Sequence, residues 1–171
     1  VIAVLCGLYF FNLGQPQVAA NDKEALILQG LMQTIEYVHF EPKKVDDELS
    51  KTVFKTYIDR LDGYKRYFTQ KEIDQLNKFE LQVDDQIKSL TFEFFNTSLP
   101  MLENGIIKAE TYFNDAISKP INFAKGDTYE TDPDKMTFAK NDGDIKERWK
   151  QIVQWDVTTK WVQNIEAQNK K

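Results

Sequence analysis

Four serines and one histidine set the limits on nucleophilic chemistry in this chain. Ser50, Ser89, Ser98 and Ser118 are the serines, and His39 is the sole imidazole. A serine nucleophile needs a base within hydrogen-bond reach, and in many hydrolases it also needs a sharp turn such as G-x-S-x-G. None of the four stands in such a turn, and each fits a helix surface or a helix end. Ser50 and Lys51 are sequence neighbours, so on a helix they point apart and form no Ser/Lys dyad. His39, in Val38-His39-Phe40, closes a helical pattern, where an imidazole serves as a cap or a surface residue. The serines therefore lack both the turn and the orienting partner that triad chemistry requires.

Carboxylates and soft ligands are equally restrictive. Asp46-Asp47 and Asp84-Asp85 are adjacent pairs, which diverge on a helix and read as solvated faces that complement the helix dipole. Asp127, Glu130, Asp132 and Asp134 make an acidic loop, but it lacks the glycine and the bidentate glutamate of a calcium-binding EF-hand loop. One cysteine, Cys6, and one histidine leave too few ligands for the usual zinc or di-iron sites. No cofactor is implied by any motif. A net charge of -5 opposes a general nucleic-acid binder, whose phosphate contacts need a basic face.

The elements that would position any site are helical. Ala25, Leu28, Leu31-Met32, Ile35 and Val38 repeat at helical spacing, with Asn21 or Asp22 as N-cap and Pro42 beyond the end. A second helix opens at Asp46-Asp47, with Leu49, Val53, Tyr57 and Leu61 on one stripe and Phe54 and Ile58 widening it; Asp62-Gly63 stops it. Thr69-Gln70-Lys71-Glu72 fits a capping box for a third helix carrying Ile73, Leu76, Phe79, Val83 and Ile87. The period resumes from Thr91 to about Ser118, with a kink or break expected near Pro100 and a further interruption at Gly105. A long loop, about 119–143, holds short extended pieces at Ile121–Phe123 and Met136–Phe138. A last helical region starts at Asp144 and carries Ile145, Trp149, Ile152-Val153, Trp161 and Ile165, with a break expected around Asp156–Thr159. No strand-forming alternation appears. The expected fold is all-α, an irregular bundle of about five or six amphipathic helices.

Between the second and third helices stands Arg60-Leu61-Asp62-Gly63-Tyr64-Lys65-Arg66-Tyr67-Phe68, unusually aromatic and basic for a turn. Its apolar surface suits a plug at an inter-helix corner, with Tyr67 or Phe68 stapling onto Ile73. Arg66 or Arg60 would pair with a carboxylate or stack on a ring.

The stretch "YIDRLDGYKRYFTQKEIDQL" resembles a segment near the N-terminus of tail-specific proteases, also called carboxy-terminal processing peptidases. The resemblance continues through "FELQVDDQI", the "PINF" loop and "DPDKMTFAKNDGDIKERWKQIV", and covers Asp22 to about Glu166. It implies a helical N-terminal domain (residues 21–171) that precedes a PDZ domain and a protease domain with a Ser/Lys dyad. Neither β-rich module lies in this sequence, so no catalytic residue is carried over to any position. What the resemblance implies is an architectural arm that shapes a substrate vault, contacts the protease core and docks protein substrates or an adaptor. Leu61, Asp62, Lys65, Arg66, Tyr67 and Phe68 match the family's helix-corner motif, and Arg148 and Trp149 its later helix. Gly63-Tyr64 departs from it, because another turn former is expected there.

Val1–Leu13 is a short apolar run followed by Gly14-Gln15-Pro16 and small residues, the pattern of a secretory signal (residues 1–20) that has lost its basic start. A buried N-terminal helix is the alternative reading, and a bulky Leu5 argues against lipidation at Cys6. With a signal, the domain would work in the periplasm or cell envelope of a bacterium. A stand-alone exported helical interaction module is the rival to the peptidase reading.

Overall fold

The computed structural model describes residues 20–41, 44–121 and 128–169, with side chains from Lys23 onward. The signal-like segment up to residue 19 with Cys6, Asp127 and most of "PINF" lie outside the described residues, as do the side chains of the expected caps Asn21 and Asp22. Among the described residues there are six α-helices: α1 Ala20–Val38, α2 Asp47–Asp62, α3 Gln70–Leu76, α4 Val83–Ser89, α5 Glu93–Ile117 and α6 Asp142–Asn169. A 3₁₀ turn, Asn77–Phe79, follows α3. No strand occurs among the described residues; one isolated parallel bridge joins Thr69 to Ala139. The fold is all-α.

Asp46 caps α2 by accepting from the amides of Glu48 and Leu49, and Asp47 and Glu48 place negative charge at the positive end of the helix dipole. The buried stripe of α2 is Ser50, Phe54, Ile58 and Asp62. It lies one position beyond the expected Leu49/Val53/Tyr57/Leu61 stripe, of which Val53, Tyr57 and Leu61 flank the core. Phe54 and Ile58, expected to widen that stripe, are the apolar members of the buried one; the other two, Ser50 and Asp62, are polar and find partners inside. The Ser50 hydroxyl accepts from the Val83 amide at 2.8 Å and so satisfies the start of α4. Ser98 is also fully buried and shares a hydrogen bond of 2.9 Å with the Tyr57 hydroxyl. Neither serine is a helix-surface residue, and neither meets a base.

The third helix is not continuous. After α3 the chain tightens into the 3₁₀ turn and restarts as α4, which turns Leu76, Phe79 and Val83 onto one core with Phe54, Ile58, Phe68, Ile73 and Phe94. The Phe94 ring is the hub, 5.1 Å from Phe54 and 5.6 Å from Phe79. Asp84 is buried, not solvated; the Lys88 ammonium bonds it at 2.7 Å and holds its carboxyl below the usual range. Leu90 ends α4 in the left-handed region, φ 56°, and the Gln86 side chain then accepts from the Phe94 amide to cap α5.

Helix α5 is unbroken across Pro100. A proline forfeits one ladder bond, and the face of Phe94, Ser98, Gly105 and Ala109, buried against the rest of the domain, compensates for that loss. Helix α6 is likewise unbroken through Asp156–Thr159. The two lie side by side in the same direction, because Lys108 pairs with Asp142 and Asp115 with Lys146. Hydrogen bonds from Lys119 and Lys146 hold the Asp115 carboxyl at about 2, so this link between the helices stays ionised in any near-neutral medium. Helix α1 forms as expected, but Leu26, Ile27, Leu31 and Val38 on it remain more than half exposed.

Gly105 is where α5 meets the chain between α2 and α3. A Cβ there would stand 2.7 Å from the Tyr67 carbonyl oxygen, on backbone that cannot swing away. Alanine favours a helix by roughly 1 kcal/mol over glycine. We nevertheless expect Gly105→Ala to lower stability by about 1–3 kcal/mol in urea denaturation, as overpacking does; a gain in stability would show that the helix and the corner are not in close contact.

Candidate functional site

Among the described residues no group of three or more His, Cys, Asp or Glu is arranged to hold a metal ion, and no helix is long and apolar enough to cross a membrane. Glu130 and Asp132 spend their carboxylates on the local turn, accepting from the Asp132 and Asp134 amides respectively, and Asp132 also pairs with Lys135. His39 is exposed and accepts from the Glu41 amide, a helix-end arrangement. The place where sequence-distant groups converge is the corner after α2.

An aspartate at a helix C-terminus opposes the helix dipole, so Asp62 must be held there by something stronger. It is 2% exposed, and its carboxylate accepts three successive backbone amides: Arg66 at 2.6 Å, Tyr67 at 2.9 Å and Phe68 at 2.9 Å. Such charge-assisted bonds are each worth about 1.5–3 kcal/mol. The chain therefore wraps round the carboxylate. Wrapping demands one left-handed residue, and this is Lys65, φ 54°, whereas Gly63 keeps a helical φ of -57°. A lysine there costs about 1 kcal/mol of backbone strain. Its side chain offsets that strain: largely covered, it pairs with Asp59 at 3.4 Å and lies over the Phe138 ring at 4.8 Å.

Where Asp62 takes the amides of the corner, α6 takes its carbonyls. Arg148 donates through Nη1 to the Lys65 carbonyl and through Nη2 to the Thr137 carbonyl at 2.8 Å. Trp149 donates from Nε1 to the Arg66 carbonyl at 3.1 Å, and its ring centroid lies 6.3 Å from that of Tyr67. Phe68 is fully buried in the core cluster with Ile73, and Leu61 packs at its edge. Thr69 and Glu72 then start α3 with the reciprocal capping box, and the Gln70 amide bonds the Ala139 carbonyl at 2.7 Å.

All eight residues singled out in the sequence thus gather at one place: Leu61, Asp62, Lys65, Arg66, Tyr67 and Phe68 from the corner, and Arg148 and Trp149 from α6. The Arg66 guanidinium stacks over the Tyr64 ring at 4.9 Å. Sequence reading missed Gly105, taken as an interruption, and the Thr137 and Ala139 carbonyls. A lone glycine in an otherwise regular apolar helix was the available signal for close backbone approach. At the corner the Arg66, Tyr67 and Phe68 amides and the Lys65 and Arg66 carbonyls are met by side chains.

Fold and corner together define an all-helical domain organised about a buried carboxylate. A family model described as "Tail specific protease N-terminal domain" matches residues 31–171, and the chain belongs to that family. A tail-specific protease of Haemophilus influenzae is 23% identical over 158 residues, covering 90% of this chain. That match takes in 21% of the relative, so the chain spans about a fifth of its length.

Asp62→Ala is expected to cost about 3 kcal/mol or more in chemical denaturation, since it strands three buried amides. Asp62→Asn should recover only part of this, because the amide nitrogen of Asn cannot accept. Phe68→Ala is expected to cost about 3–5 kcal/mol. A loss within about 0.5 kcal/mol for either alanine variant, as at an exposed surface site, would show that the corner does not hold the helices together.

Proposed function

We propose that this chain is the N-terminal helical domain of an exported serine-type peptidase that processes or degrades proteins from their C-termini. In that role it is architectural: it helps shape the vault that admits substrate, rests on the protease core and docks partner proteins. The observation that carries the reading is the family match over residues 31–171. The corner supports an architectural part, because the Asp62 carboxylate and the amides and carbonyls around it are bonded to one another and to α6. The nucleophile and its lysine base would stand in a separate protease domain of the same polypeptide, with a PDZ domain capturing substrate C-termini.

The test uses the full-length polypeptide that contains this chain. Incubated with a folded reporter carrying an unstructured apolar C-terminal tail, it should degrade the tailed protein and spare one whose tail is removed or ends in charged residues. Cell fractionation should place it in the envelope. Equal treatment of both reporters, or no cleavage by a folded full-length protein, would overturn the reading.

A further inference from the structure

The chain has three arginines, Arg60, Arg66 and Arg148, and all of them belong to the corner or its approach. Arg60 lies exposed in the last turn of α2, four residues before Tyr64. Arg66 is in the turn itself, and Arg148 reaches the turn from α6. Among the described residues the ion pairs are made by lysines, and none of the three arginines meets a carboxylate. The two acidic side chains at hand are already committed. Asp59 pairs with both Lys55 and Lys65, and Asp62 is closed by three amides. Arg148 spends its guanidinium on two carbonyls, which carry no compensating charge.

Arg66 is the least satisfied of the three. Its backbone is fixed on both sides, the amide on Asp62 and the carbonyl on Trp149, so its side chain leaves the corner from a set point. The guanidinium lies over the Tyr64 ring, 4.9 Å from the centroid, while Nε is buried and meets no acceptor. A buried charged N–H without an acceptor is uncommon in a folded protein and costs stability. The Tyr64 ring that carries the stack is 49% exposed. Stacking occupies a face of the guanidinium and leaves its edge donors for a ligand. Those donors form the planar fork that takes a carboxylate in two parallel hydrogen bonds.

We propose that the corner is a docking point for an acidic segment of a partner protein, with Arg66 on Tyr64 as the anchor and Arg60 and Arg148 adding positive charge around it. The inference rests on reading the domain as one that docks proteins, and it supplies the chemistry of the partner: carboxylate side chains along an exposed segment. Charge complementarity favours this occupant. The chain as a whole carries a net charge of -5, so an acidic segment is repelled by most of its surface and drawn to the one place where arginines gather without carboxylates. Arginine and tyrosine are also among the residue types that dominate the energetics of protein interfaces. A nucleic-acid backbone is a poor fit, because a phosphate track needs a broad basic face.

The test uses the full-length polypeptide and a dye-labelled peptide of alternating glutamate and glycine, blocked at both ends so that no free C-terminus contributes. Fluorescence anisotropy should show binding of this peptide, and its glutamine counterpart should bind about tenfold more weakly or worse. Arg66→Gln should weaken binding of the glutamate peptide by about tenfold. Arg66→Lys, which keeps the charge but loses the fork, should weaken it several-fold. Tyr64→Leu removes a half-exposed ring, leaves the buried corner in place and should also weaken binding several-fold. Lys160→Gln makes the same charge change as Arg66→Gln at an exposed position of α6 and should leave the affinity within about twofold. Equal weakening by Lys160→Gln would reduce the effect to net charge and overturn the proposal. Unchanged binding in both Arg66→Lys and Tyr64→Leu would overturn it as well, as would no binding by the folded full-length protein, whose corner would then be filled from within. The reporter-cleavage assay is read separately. Arg66-dependent binding in a polypeptide that cleaves nothing would sink the peptidase reading and leave the docking; cleavage without such binding would do the reverse.

Discussion

The Asp62 carboxylate is the group on which the rest of the arrangement depends. A charge removed from water is costly unless its lone pairs are met, and three consecutive amides meet them here. Those amides belong to the chain leaving α2, so satisfying the charge fixes the path of the corner. The path in turn fixes where Phe68 enters the core and where Thr69 begins α3. Its outward-facing carbonyls are then available to Arg148 and Trp149, which draw α6 against a segment more than eighty residues earlier. A single buried ion thus connects local chain direction to the packing of the longest helix.

Much of this was legible in the sequence, and the parts that were not share a physical cause. Helical periodicity gave the class and the helix order, and the capping box at Thr69 gave a helix start, because both are local properties. The crowding of Lys65, Arg66, Tyr67 and Phe68 marked the corner, since aromatic surface in a turn must be covered by something. Ser50, Ser98 and Asp84 were misread as surface groups. Their burial depends on partners such as Val83 and Tyr57, or on neighbouring elements, that spacing alone does not bring together. Gly105 was hidden for the same reason: the close approach of the Tyr67 carbonyl is a tertiary fact.

Besides Gly105, two expected interruptions turned out to be uninterrupted helix, and each is informative. At Pro100 the packing of the face around Ser98 and Gly105 outweighs one lost ladder bond. At Asp156–Thr159 the signal was real but concerned the apolar stripe, which changes sides while the backbone runs on.

Hydrogen exchange of the Arg66, Tyr67 and Phe68 amides tests the central claim most directly. These groups lie in a turn and outside any helix, so ordinary loop behaviour would exchange them quickly. If the Asp62 carboxylate organises the corner, they should exchange as slowly as amides of α2 and α5, through global unfolding. Exchange at the rate of exposed loop amides would contradict the account, and the corner would then be a consequence of helix packing and not its cause.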